Sequence, residues 1–184
     1  MDTHHSTRQL AGAAVLAALT VIGAWIRIPI APVPMTLQTL FTYAAGVMLD
    51  VRYAFLCQGA YVLLGLAGVP VFASGGGIVY LTQPTFGFLL SLPLAAAVIA
   101  LFIRRSRSRT WPAKLPALLF GCATIFLIGA GWLFLYFKWI LLKPLSLTRM
   151  WQFSLVILLG ELVKMVLAAI LATQLDKLLW EKKK

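Results

Sequence analysis

LPALLFGCATIFLIGAGWLFLYF, residues 115–137, runs for 23 positions without a charge. A helix that crosses a bilayer needs about 20 predominantly apolar residues, so this stretch reads as a complete membrane span. The rest of the 184-residue chain agrees with it: 61% of the residues are hydrophobic and 11% are charged, against about 45–50% and about 25% in soluble domains. The mean hydropathy is +0.94. Lipid is the simplest solvent for so much apolar surface. The composition implies one all-α integral membrane domain over residues 1–184, with a helical bundle from about 8 to 176 and short polar and basic tails.

Five more helices are expected on either side of that run. The first covers 10–28 and reads as a retained helix, since it has neither a short apolar core nor a cleavage site. Pro29, Pro32 and Pro34 stop it, because proline lacks the N–H donor and disfavours helical geometry in the residue before it. A short second helix, 36–49, is expected to begin inside the membrane below an extended loop. The third, 51–66, ends at Gly65, Gly68 and Pro70. The fourth covers 84–103, with Pro84 in its first turn and Pro93 as a kink point. The sixth covers 150–175.

Six spans place both termini on one side. Eleven Lys and Arg residues fall in the segments on that side, including Arg104, Arg105, Arg107, Arg109 and Lys182 to Lys184. Four fall in the opposite loops: Arg27, Lys138, Lys143 and Arg149. An excess of Lys and Arg marks the cytoplasmic side, so both termini are expected in the cytoplasm. The net charge of +11 is thereby accounted for as topology, with the basic tail also suited to anionic lipid. Nucleic acid is excluded as a partner.

The sixth helix contains LLGELVKMV, residues 158–166. A charge at mid-membrane costs on the order of 3 kcal/mol on insertion scales. Glu161 and Lys164 are three residues apart, hence on one helix face, where each offsets the other. They read either as a structural ion pair or as part of a polar cavity that holds a substrate. Lys164 suits a carboxylate, and Glu161 suits N–H donors.

Two further segments are candidate site elements. Phe72-Ala73-Ser74-Gly75-Gly76-Gly77 leads into Ile78-Val79-Tyr80-Leu81. Triple glycine permits unusual dihedrals, but the flanks are too apolar for a free linker, so a lid or binding loop is expected. The other is Pro32-Val33-Pro34-Met35-Thr36-Leu37-Gln38-Thr39, where Thr36 and Gln38 offer hydrogen-bonding groups. Both segments fall on the outer side and can close over one pocket above Glu161 and Lys164. On helix one, Ala13/Ala17 and Ala14/Ala18 form small-xxx-small pairs that allow close helix approach, internally or with a partner. Cys57 and Cys122 read as small buried hydrophobes. His4 and His5 lie in the tail, so no Ser–His or Cys–His set can form. No nucleotide-binding motif and no HExxH appear, so neither an enzyme nor a self-powered ATP-driven pump is expected.

Pro32-Val33-Pro34 through Thr39, then Gly65-Leu66-Ala67-Gly68-Val69-Pro70-Val71-Phe72-Ala73, then Gly75-Gly76-Gly77, then Pro84-Thr85-Phe86-Gly87 resemble the biotin-specific substrate-binding (S) subunits, BioY, of energy-coupling factor (ECF) transporters. The order and spacing match over about residues 8–176. The acidic residue, two spacers and Lys of that family's last helix are matched by Glu161-Leu162-Val163-Lys164. The family's usual residue at the acidic position is Asp, and Gln83-Pro84-Thr85-Phe86-Gly87-Phe88 replaces a Gly-Pro-Thr-Gly-Gly-Tyr-like run. The resemblance implies a six-helix bundle in a prokaryotic cell membrane that binds biotin from outside. It implies no cofactor, and as partners a transmembrane coupling subunit and two cytoplasmic ATPases. Candidate ligand residues are Glu161, Lys164, Gln38, Thr36, Phe72, Ser74, Gly75, Gly76, Tyr80 and Thr85, and candidate docking residues are Ala13, Ala14, Ala17 and Ala18. Which end of biotin meets Glu161 or Lys164 stays open. The alternative is a stand-alone proton- or ion-coupled carrier with Glu161 as its protonation site, against which stands the lack of an inverted repeat or paired broken helices.

Overall fold

The computed structural model describes residues 3–28, 35–106, 110–140, 142 and 147–181, with the side chains of the last helix over 157–175. The proline segment 29–34, Arg107, Arg109, Lys143 and the tail 182–184 lie outside the described residues. Among the described residues six α-helices run in order: α1 (Thr3–Trp25), α2 (Gln38–Met48), α3 (Val51–Leu66), α4 (Phe86–Arg105), α5 (Trp111–Leu135) and α6 (Leu147–Glu181). Five π-helical residues, Tyr136–Ile140, extend α5. Four of these helices, α1, α4, α5 and α6, are long and apolar enough to cross a membrane. The 16 residues of α3 form a shorter apolar helix. With 11 residues, α2 rises only about 16 Å, about half the hydrocarbon thickness.

Short extended strands accompany α2. β1 (Arg27–Ile28) pairs antiparallel with β2 (Met35–Thr36), Arg27 opposite Thr36 and Ile28 opposite Met35. This ribbon amends the all-α expectation. It also ends α1 at Trp25 rather than at residue 28, because Arg27 and Ile28 give their backbone to the strand pair. Pro84 is not in the first turn of α4. It sits in a turn before Thr85, and the Phe86 N–H donates to the Gln83 carbonyl at 3.2 Å. Helix α5 begins earlier than expected, at Trp111, with Pro112 in its first turn, where a missing N–H costs no helical bond. Helix α6 is longer than expected at both ends.

Helices α2 and α4 occupy the middle. α2 touches α1, α3, α4 and α6, and α4 touches α2, α3 and α5. Small residues permit this closeness: a Cβ on Gly46 of α2 would lie 2.6 Å from Ile99 Cβ of α4. One core cluster gathers Tyr43, Leu92, Ile99, Leu118, Ile125, Met165 and Ala168. Another gathers Ala13, Leu16, Ala45, Ala54, Cys57 and Ala96. Both cysteines are free and buried, in keeping with their reading as small hydrophobes.

A neutral polar cluster joins α1, α2 and α3. Gln58 is fully buried. Its amide N–H donates to Thr20 Oγ1 at 3.1 Å, and its Oε1 accepts from Thr42 Oγ1 at 3.1 Å. The Thr20 hydroxyl also donates to the Leu16 carbonyl, and the single Thr42 proton is shared between Gln58 Oε1 and the Gln38 carbonyl at 3.3 Å. At one end of the bundle Asp50 pairs with Arg104 of α4, and the Asp50 N–H donates to Gln9 Oε1 at 3.0 Å.

Candidate functional site

The segment between α3 and α4 is a folded cap rather than a free linker. Gly68, Gly75 and Gly77 have φ of 104°, 109° and 104°, a region that side-chain-bearing residues rarely adopt. The N–H of Gly77 donates to the Gly65 carbonyl at 2.7 Å, and Phe72 and Gly75 exchange N–H···O bonds of 2.8 and 3.2 Å. These bonds turn Phe72 inward, where it is 1% exposed. Its ring lies 5.5 Å from that of Tyr61 and 4.6 Å from that of Tyr80. Gly65 gives the Phe72 ring its space, since any Cβ there would overlap it. The Tyr80 hydroxyl accepts the Ser74 N–H at 2.8 Å, and a 3₁₀ turn, Ile78–Thr82, leads on toward α4.

Beneath this cap lies a cavity of about 270 Å³, near the lower end of small-molecule sites, about 300–1,000 Å³. The ribbon contributes Met35 and Thr36, α2 contributes Gln38 and Thr39, and the cap contributes Phe72, Ala73, Ser74 and Tyr80. Gln83, Pro84 and Thr85 follow, with Phe88, Leu89 and Leu92 of α4, Ile125 and Phe126 of α5, and Ile157, Glu161 and Lys164 of α6. A few polar groups thus converge among apolar and aromatic walls, the usual make-up of a ligand pocket.

Glu161 and Lys164 are 3% and 4% exposed and form an ion pair. Lys164 Nζ also donates to the Thr36 carbonyl at 3.0 Å and to Thr39 Oγ1 at 2.6 Å. An ammonium has three N–H donors, and each has an acceptor here. Thr39 Oγ1 in turn donates to Glu161 Oε1 at 3.0 Å, and Tyr43 Oη donates to Oε2 at 2.6 Å. The charges are paired and hydrogen-bonded, the condition under which burial is tolerated.

Eight of the ten residues singled out from sequence line the cavity: Thr36, Gln38, Phe72, Ser74, Tyr80, Thr85, Glu161 and Lys164. Gly75 and Gly76 do not; they shape the turn that presents Phe72 and Ser74. Gln38 is 7% exposed, and its side-chain amide has no partner among the described residues. Of the four alanines on α1, Ala13 is buried in the core and Ala17 packs against it, so they serve internal packing. Ala14 and Ala18 are exposed. Sequence reasoning missed Tyr43 and Arg27 and left Thr39 unassigned. A spacing signal existed for two of them, since Thr39 and Tyr43 are four apart on α2 and share a face.

The chain matches the BioY family over residues 1–181. It belongs to the BioY family. It is 38% identical over 175 residues to the biotin transporter BioY of Thermotoga maritima, covering 93% of this chain and 97% of that one. It is 42% identical over 134 residues to the probable biotin transporter BioY of Lysinibacillus sphaericus, covering 73% and 68%. Among solved structures, the S-component for biotin from an ECF-type ABC transporter aligns with a TM-score of 0.82 at 27% identity, over 96% of this chain and 95% of that one. Like other BioY proteins, with several helices apolar enough to span, this one is a multi-pass integral membrane protein of the cell membrane.

Proposed function

We propose that this chain is the biotin-capturing membrane subunit of an uptake system rather than an enzyme, and that it takes biotin into the cavity beneath the glycine-rich cap. One observation carries the reading. In a BioY fold, a capped pocket of small-molecule size combines apolar and aromatic walls with uncommitted polar groups, Gln38 and Thr85, and a buried Glu161–Lys164 pair. A fused bicycle with an aliphatic tail suits the walls, and a ureido group suits an amide that both donates and accepts. Thr36, Gln38, Phe72, Ser74, Tyr80, Thr85, Glu161 and Lys164 are the proposed contacts, with Gly75 and Gly76 shaping the cap.

In this reading all six helices belong to the transmembrane bundle. The ribbon and the cap complete the crossings that α2 and α3 are too short to make alone. Both termini are cytoplasmic, as the Lys and Arg distribution favours, and the cavity opens outward. Lipid covers the exposed apolar flanks, where Leu127 is 77% exposed. Energy comes from an ECF module, a coupling subunit with two ATPases. Ala14 and Ala18 are the part of the α1 stripe left open for docking on it.

Calorimetric titration of the detergent-solubilised protein with biotin and with unrelated vitamins tests the binding step. Saturable binding of biotin alone is expected, and no binding would refute the reading. Uptake that needs the ATPases and survives collapse of the proton gradient is expected of the whole system. A stand-alone carrier would behave in the opposite way.

A further inference from the structure

Among the described residues, Lys164 lines the cavity and Arg27 reaches its lining residue Ser74, and the two cations differ in what they have left to offer. The three donors of Lys164 are all engaged, and Glu161 cancels its charge within the same network. Arg27 is different. Its Nη1 donates to the Ala73 carbonyl at 2.8 Å and to Ser74 Oγ at 3.0 Å. A guanidinium has five N–H donors in a planar fork, so the Nη2 and Nε donors have no acceptor among the described residues. No carboxylate among those residues pairs with it.

Its position is fixed from two sides. In the ribbon Arg27 stands directly opposite Thr36, and residues so paired project from the same face. Thr36 lines the cavity, and so does Ser74, which the guanidinium reaches. Ser74 is also exposed, so it marks where the cavity meets the surface. The guanidinium therefore bridges ribbon and cap at the mouth. The amide of Gln38 and the neutral hydroxyl of Thr85 belong to lining residues.

We infer that Arg27 is a specificity-determining residue that reads the ligand's carboxylate at the mouth of the cavity, while the ligand's neutral ring end takes the uncommitted amide of Gln38. The inference rests on the biotin-uptake reading and deepens it by giving the ligand an orientation. A carboxylate is the planar, two-oxygen anion that the guanidinium fork matches. Placing it at the mouth spares it from competing with Glu161 for the donors of Lys164.

The test is calorimetry of the full-length protein and of Arg27→Gln and Arg27→Lys with biotin and with biotinamide, which keeps the ring and tail but has no charge. The parent is expected to prefer biotin. Arg27→Gln is expected to weaken biotin by roughly tenfold to a hundredfold, the scale of a lost hydrogen bond to a charged group, and to leave biotinamide unchanged, so that the preference collapses. Arg27→Lys is expected to keep part of it. An equal loss for both ligands would overturn the inference and make Arg27 a fastener of the cap. No change for either ligand, or a parent that binds both equally, would also overturn it. A parent that binds neither ligand would fail the uptake reading itself, a result distinct from all of these.

Discussion

Helix α2 carries two buried polar clusters, and they are built to different ends. In one, Thr42 meets Gln58 and, through it, Thr20. Every member is neutral, every polar atom is paired, and none lines the cavity. In the other, Thr39 and Tyr43 meet Glu161 and Lys164, where two members are charged and three line the cavity. Neutral bonds between membrane helices contribute modestly, on average about 0.6 kcal/mol, and here they link α1, α2 and α3. A buried ion pair is poor glue, since apolar residues of similar volume often do as well or better. Its presence beside a cavity suits the ligand-binding role proposed above, and in that reading the contrast separates a cluster that holds helices from one that serves a site.

The largest expected effect comes from breaking the charged cluster unevenly. Lys164→Met leaves Glu161 buried without a cation and is expected to cost about 3–5 kcal/mol of stability, read as a lower midpoint of thermal unfolding in detergent. Adding Glu161→Leu is expected to restore most of that stability while biotin binding stays absent. A double variant that still bound biotin would reduce the pair to packing.

Tyr43→Phe removes one hydrogen bond to the carboxylate. An expected loss of about 1.5–3 kcal/mol would appear in the same unfolding measurement. Loss of under about 0.5 kcal/mol, the range of ordinary surface changes, would place the Tyr43 hydroxyl outside the network.

The smallest effect belongs to the neutral cluster. Thr20 and Thr42 keep their carbonyl partners in Gln58→Leu, so a cost of about 1 kcal/mol is expected, with biotin affinity unchanged by calorimetry. If affinity fell along with stability, the two clusters would act as one unit and the contrast would fail.

Much of the fold is legible in the order of residues alone. Helix α3 falls where the apolar run and its glycine–proline stop place it, because hydropathy and helix punctuation are local properties. The pairing of Glu161 with Lys164 is legible for the same reason, since three residues on a helix fix a shared face. The alanine stripe is only half legible: spacing shows that residues align along a helix but not which way the face points, and Ala13 turns inward while Ala14 stays out. The ribbon is hidden as well, because two residues of strand leave no periodicity to read.

The sequence by itself determined the solvent, the number and order of helices, and the charged pair, all set by composition and by contacts within one turn. Only the tertiary structure decided what surrounds that pair. Tyr43 and Thr39 reach Glu161 from 118 and 122 residues away, and Arg27 reaches the cap across 46 residues. Such contacts depend on how whole helices and loops pack, and no local spacing encodes them.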